Sequence, residues 1–251
     1  MNRSVAPILP ALGLALLLTW PAAAGADARG DKVLQLADTA LNSYKDESFV
    51  YELTTKEPGK APRVLNLKIA IKGEARRVEF TAPGDVKGMK ILILSLDQMY
   101  IWLPAYRKIR RVASHVRDQG FMGTTFNHDD MSITRYGPHF TATLEGETKD
   151  AWTIKATRRA GSTYAYSMLR FSIDKKHHHP LEIRYYNKKG EHTKTETRTQ
   201  YACQGPICVA KVMRLVDHTR NNAWSEFVTT DWKVNTGIPD SFFTQRALQR
   251  R

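Results

Sequence analysis

The sequence predicts a mainly β protein: one N-terminal helix followed by a strongly curved antiparallel sheet or barrel. Three observations predict it. Residues Asp31 to Tyr44 carry Val33, Leu34, Leu36, Ala37, Ala40 and Leu41 at three-four spacing, the apolar stripe of a single amphipathic helix with Asp31 placed to cap it. Beyond it the chain breaks into short runs rich in β-branched and aromatic residues, divided by Gly, Pro and Lys-Gly turns. Thirteen such runs follow one another, more than one flat sheet usually holds without curling.

Ahead of the helix, Arg3, the apolar run Ile8 to Trp20 and the small-residue stretch Pro21 to Ala26 have the order of a secretory signal peptide over residues 1–26, with cleavage near Ala24 or Ala26. The apolar run is shorter than the roughly 20 residues needed to span a bilayer. No Cys lies there to take a lipid anchor. The expectation is an exported chain whose residues 27–251 form a single domain, since no linker or internal repeat divides them.

The candidate strands run from Ser48 to Lys56, Val64 to Lys72, Ala75 to Thr81, Met89 to Leu96, Met99 to Leu103, Lys108 to Val112, Phe140 to Thr148, Trp152 to Arg158, Met168 to Asp174, Leu181 to Asn187, His192 to Tyr201, Ile207 to Val216 and Trp224 to Trp232. Gly73 and Gly190 sit between runs, where a hairpin needs a residue that accepts positive φ. In the seventh run Phe140, Ala142 and Leu144 alternate with Thr141, Thr143 and Glu145, as in a strand wet on one side. The fourth and fifth do not alternate. Met89, Ile91 and Ile93 oppose Leu92, Leu94 and Leu96, and Met99, Ile101 and Leu103 oppose Tyr100 and Trp102, so both faces require cover.

The net charge is +13 and favours anionic partners such as a membrane surface, a lipid headgroup or an acidic protein face. Export, and the lack of a basic helix, an RNP-like strand or a helix-turn-helix pattern, argue against nucleic acid. Cys203 and Cys208 are the only cysteines, and their turn-like spacer Gln-Gly-Pro-Ile fits a local disulfide in an oxidising compartment; a zinc or redox-active pair is the sharper alternative.

The stretch Gln98 to Ser132 concentrates the candidate functional residues. Met99, Tyr100, Ile101, Trp102 and Leu103 offer apolar surface to a ligand cavity or its cover. Arg107, Lys108, Arg110 and Arg111 follow Pro104, project from both faces of a strand, and suit contact with a headgroup or a protein partner; a charged edge strand that resists aggregation would look the same. Phe121, Met122 and Phe126 place apolar bulk in a loop, either plugging the core or lining a lid, with Asn127 or Thr125 capping a short helix that carries Asp129, Asp130 and Met131.

For catalysis or metal binding the sequence offers little: no GxSxG, HExxH, P-loop or GxGxxG in context. His128 and Asp130 are the best acid-base pair, and His177-His178-His179 reads as a hydrophilic turn. Neither a cofactor nor a metal is expected.

With these residues in hand, the chain resembles the LolA-like outer-membrane lipoprotein-sorting proteins. The resemblance is carried by WLPAYRKIRRV at 102–112, GFMGTTFNHDDM at 120–131, LEIRYYNKKGE at 181–191 and WKVNTGIPDSFFTQRAL at 232–248. It implies an unclosed antiparallel β-barrel around an apolar cavity, with the N-terminal helix and a short helical or loop lid. It further implies a periplasmic carrier, not an enzyme, moving lipid or acylated protein between an inner-membrane transporter and the outer membrane, with transient contact at the membrane surface. Trp102, Leu103, Arg107, Arg110, Arg111, Phe121 and Asp130 match the pattern, whereas His128-Asp129 ahead of Asp130 and the local cysteine pair depart from it. A periplasmic adaptor of a membrane exporter, holding no ligand, is the alternative.

Overall fold

A computed structural model describes residues 27–113 and 120–250; the expected signal peptide lies outside the described residues. The chain forms helix α1 (Ala28–Leu41), then β1 (Glu47–Lys56), β2 (Arg63–Lys72), β3 (Ala75–Ala82), β4 (Lys90–Ser95), β5 (Gln98–Leu103) and β6 (Lys108–Arg111). After the short helix α2 (His128–Ser132) come β7 (Phe140–Glu147), β8 (Ala151–Arg158), β9 (Met168–Asp174), β10 (Pro180–Tyr186), β11 (His192–Gln204), β12 (Ile207–Asp217) and β13 (Ala223–Val234), and a terminal turn of helix α3 (Gln245–Leu248). All thirteen expected strands form, within a few residues of their expected bounds. Gly73 (φ 57°) and Gly190 (φ 79°) supply the positive φ their turns require.

All strands join one antiparallel sheet in the order β6-β5-β4-β3-β2-β1-β13-β12-β11-β10-β9-β8-β7. Hairpins link each strand to the next except at one place: β6 and β7 occupy opposite edges. The segment between them, which contains α2, therefore runs from one edge of the sheet to the other, and the barrel stays unclosed. The inner face carries one residue in two along each strand: Phe49, Tyr51 and Leu53, then Leu67, Ile69 and Ile71, then Val78 and Phe80, then Ile91 and Ile93.

Helix α1 packs against the β7 edge. Val33, Leu34 and Ala37 enter the main core, Asp31 Oδ1 accepts from the Ala142 N–H at 2.7 Å, and Asp27 Oδ2 accepts from that of Leu144 at 3.3 Å. Carboxylates thus satisfy edge-strand donors that would otherwise need a fourteenth strand. The approach is close because Gly30 has no side chain: a Cβ there would lie 2.6 Å from the Ala142 carbonyl oxygen and from backbone atoms of Thr143. Gly30→Val is expected to destabilise the fold by about 1–3 kcal/mol, seen as a lower urea midpoint at unchanged slope.

The other edge, β6, is handled by charge. Lys108, Arg110 and Arg111 are exposed along it, as is Arg107 in the turn before it. The two apolar faces of β4 and β5 also find their cover. Ile91, Ile93 and Met99 join the main core, while Leu92, Leu94, Tyr100 and Trp102 pack outside against Ile238, Phe242, Phe243 and Leu248 of the C-terminal segment. Arg77 clamps that segment, its guanidinium 4.1 Å from the centre of the Phe242 ring.

Candidate functional site

Inside the curved sheet lies a cavity of about 240 Å³, walled by β1 to β4 and β10 to β13, with Ala40 and Leu41 of α1 and Asp130 and Met131 of α2 also on its lining. Its volume is just below the range of sites that engulf a drug-sized ligand. Most of its wall is apolar. Phe49, Leu53, Leu67, Val78, Phe80 and Ile91 are buried and face it from consecutive inner-face positions.

The lid is formed by the described residues from Gly120 to α2 that precede β7. Phe121 and Phe126 are both buried and both line the cavity; Phe121 meets Phe80 at 6.0 Å between ring centres and Phe126 meets Phe227 edge-on at 5.0 Å. Between them Met122 adopts φ 52° and Gly123 φ 79°, which turns the loop back so that the Phe121 N–H donates to the Phe126 carbonyl at 2.8 Å. Polar contacts tie the loop to β12 and β13: the Thr125 N–H donates to Ser225 Oγ at 2.9 Å, and Thr125 Oγ1 donates to the Leu215 carbonyl at 3.0 Å. Asn127, not Thr125, caps α2, and Asp130 closes a reciprocal capping box with it.

Two charged side chains, Lys194 and Arg76, hold α2 down. Lys194 Nζ of β11 donates to Asp130 Oδ2 at 2.6 Å, and the Tyr166 hydroxyl donates to Asp130 Oδ1 at 2.8 Å. From β3, the Arg76 guanidinium donates through Nη2 to the Ile133 carbonyl at 2.7 Å and through Nη1 to that of Met131. Arg76 shares the inner face of β3 with Val78 and Phe80, so the group that holds the lid reaches it across the cavity mouth.

Of the residues singled out from the sequence, Phe121 and Phe126 line the cavity. Met99, Ile101 and Leu103 belong to the main core beside it, and Met122 packs there half-buried. Tyr100 and Trp102 point away: strand alternation carries them to the outer face beneath the C-terminal segment, and their expected place at the cavity or lid is corrected accordingly. Arg107, Lys108, Arg110 and Arg111 lie at the exposed β6 edge, beside Tyr106, which is 68% exposed. His128 is buried, with Nδ1 3.0 Å from Met99 Sδ, and Asp130 is engaged by Lys194, Tyr166 and the cap; the pair serves the lid's architecture. Cys203 and Cys208 face each other across the β11–β12 hairpin as a disulfide, and Cys208 borders the cavity.

Sequence reasoning missed the polar side of the cavity, formed by Glu47, Arg76, Glu196 and Arg198 with a ring of tyrosines. Glu196 Oε2 accepts from the Tyr185 hydroxyl at 2.7 Å and its Oε1 from Arg198 Nε at 2.6 Å. Burial pushes the Glu47 carboxyl up to about 7, against the hydrogen bond from Trp232 Nε1 and the Arg76 charge, which pull it down. A carboxyl raised above its unfolded value holds its proton longer in the folded state, so its contribution is full below about 4.5 and is lost as pH rises to about 7. Glu47→Gln is expected to flatten that fall by a few kcal/mol, measured as the difference between urea unfolding curves of the two proteins across this range.

These elements define a fold class: an unclosed antiparallel β-barrel with an apolar cavity beneath a latched lid. Residues 73–250 match a protein family described as "Uncharacterized protein", and the chain belongs to it. No curated protein matches the sequence. Among solved structures, a domain from Vibrio parahaemolyticus described as outer membrane lipoprotein-sorting is similar at a TM-score of 0.79 and 22% identity, over 88% of this chain and 99% of that one. A DUF1329 family protein from Desulfovibrio piger gives 0.80 and 21%, over 86% and 98%. A LolA superfamily protein from Nitrosomonas europaea gives 0.72 and 16%, over 87% and 98%. No helix among the described residues is long and apolar enough to cross a membrane.

Proposed function

We propose that this protein is a carrier of lipid or acylated protein, working in the periplasm between inner-membrane machinery and the outer membrane. One observation carries the reading: a largely apolar cavity is roofed by a lid that hydrogen bonds to Arg76 and an Asp130–Lys194 pair hold shut. Each methylene moved from water into such a cavity gains about 0.8 kcal/mol, so a single acyl chain supplies affinity without any covalent step. The exposed basic β6 edge suits the anionic surface from which cargo is taken or to which it is given. The same edge supports the adaptor reading, in which it docks an exporter protein and the cavity stays empty.

Mass spectrometry of organic extracts from natively purified protein tests the reading. Bound lipid or fatty acid is expected in the wild type and is expected to vanish in Val78→Trp, which fills the cavity. A folded wild type that carries no lipid and takes up none from added vesicles sinks the carrier. Loss of an exporter partner on reversing Arg110 and Arg111, with lipid binding intact, favours the adaptor.

A further inference from the structure

The cavity has a charged side that holding a plain hydrocarbon does not require. Arg76 and Arg198 both line it; burial holds the Arg76 guanidinium below its usual pKa, and the charge of Arg198 adds to that. Among the described residues Arg198 is engaged through Nε alone, by Glu196, leaving its two terminal nitrogens for a further acceptor. Glu196 is itself taken up by Tyr185 and Arg198. Arg76 makes no ion pair among the described residues, giving its terminal nitrogens to lid carbonyls, and its Nε is buried with no hydrogen-bond partner. The lining therefore holds two guanidiniums against one committed carboxylate, with Asp130 spent on Lys194 and Glu47 able to stay protonated. A buried donor without an acceptor costs about 1–3 kcal/mol, and an excess cation in a desolvated wall costs more. An anion placed there would relieve both.

We propose that Arg198, with Arg76 beside it, forms an oxyanion subsite in the cavity wall, and that the carried amphiphile has a carboxylate or phosphate at the head of its acyl chain. The planar fork of Arg198 can present parallel N–H groups to two oxygens of such a head, a geometry that an alcohol or an ester cannot answer. The surroundings favour it. Burial holds the Tyr44 phenol up at about 12 and raises that of Tyr136 further, so both remain hydroxyl donors near the head. Burial opposes the charge on Arg198, but the Glu196 carboxylate bound to it more than offsets that and keeps the guanidinium protonated. The apolar wall from Phe49 to Ile91 then takes the chain.

The inference rests on the carrier reading, and the test separates the two. Displacement of Nile red, a neutral apolar probe, is measured with palmitate, with cetyl alcohol of the same chain length, with lysophosphatidate, and with acetate or inorganic phosphate alone. Palmitate and lysophosphatidate are expected to compete at least tenfold better than the alcohol, and the free ions not to compete. In Arg198→Met the advantage should disappear while the alcohol competes as before, and Arg198→Lys should restore part of it. Equal competition by palmitate and alcohol in the wild type overturns the oxyanion subsite and leaves the carrier standing. Displacement by the free ions without a chain assigns the site to soluble anions and also overturns it. If neither amphiphile displaces the probe, the carrier reading itself falls. Because the wild-type comparison needs no variant, a folding defect in Arg198→Met does not remove the test.

Discussion

Lys194→Met should lower the stability of the fold by about 3–5 kcal/mol, the largest single-residue effect expected outside the apolar core. Its ammonium and the Asp130 carboxylate meet at 2.6 Å, with side chains only 9% and 2% exposed. Removing the cation leaves a carboxylate in a site from which water is largely excluded, where the Tyr166 hydroxyl and the Asn127 N–H offset only part of the cost. The loss is local as well as global. Asp130 closes the capping box of α2, so an unbalanced charge there loosens the helix that roofs the cavity. Equilibrium urea unfolding checks the first effect and hydrogen exchange at 128–133 the second. The double variant Lys194→Met with Asp130→Asn should recover part of the stability, because no charge is then stranded. A single variant that unfolds like the wild type would show that the pair anchors nothing.

Arg76→Met should speed exchange of an apolar ligand by roughly tenfold or more. Each hydrogen bond from a charged donor contributes about 1.5–3 kcal/mol, and Arg76 makes two, to the Met131 and Ile133 carbonyls; even half of one bond's worth per contact gives a tenfold change. Stopped-flow uptake and release of Nile red read the effect directly. Both rates should rise together while the equilibrium affinity moves little, because the substituted Met still offers apolar wall. A weaker affinity carried by faster release alone, with uptake unchanged, would mean that Arg76 contacts the ligand without holding the lid.

The strand plan was open to reading from the sequence because each inner-face residue recurs at every second position and each turn carries a residue fit for it. The cover of the outer face was not. The double apolar faces of β4 and β5 announced that something lay on each side, but what covers Tyr100 and Trp102 is a segment more than a hundred residues away, and periodicity within a strand carries no information about distant partners. Phe121 and Phe126 stood out as apolar bulk in a loop and do line the cavity. Arg76, Glu47 and Arg198 escaped notice for the opposite reason, since charges on strands ordinarily mark a solvated face. The signal that could have found Arg76 is its phase: it sits two and four residues ahead of Val78 and Phe80, on their face of the strand. A charge in register with a buried stripe has to be held by something inside.

The order of strands has a consequence for how the molecule comes into being. The chain starts its sheet in the middle, at β1, and places the last strand, β13, beside it, with Glu47 opposite Val234. Every other pairing joins neighbours in sequence, so each wing of the barrel can zip up hairpin by hairpin as it is made. The seam between the wings cannot. It joins segments that are nearly the whole protein apart, and such a loop closes late and slowly. Until residue 234 is available the two half-barrels have no common wall, and the apolar surface that later encloses the cavity lies open to any other chain. The protein is thus its own first hazard, and a nascent or truncated form lacking β13 is the species a chaperone would need to meet.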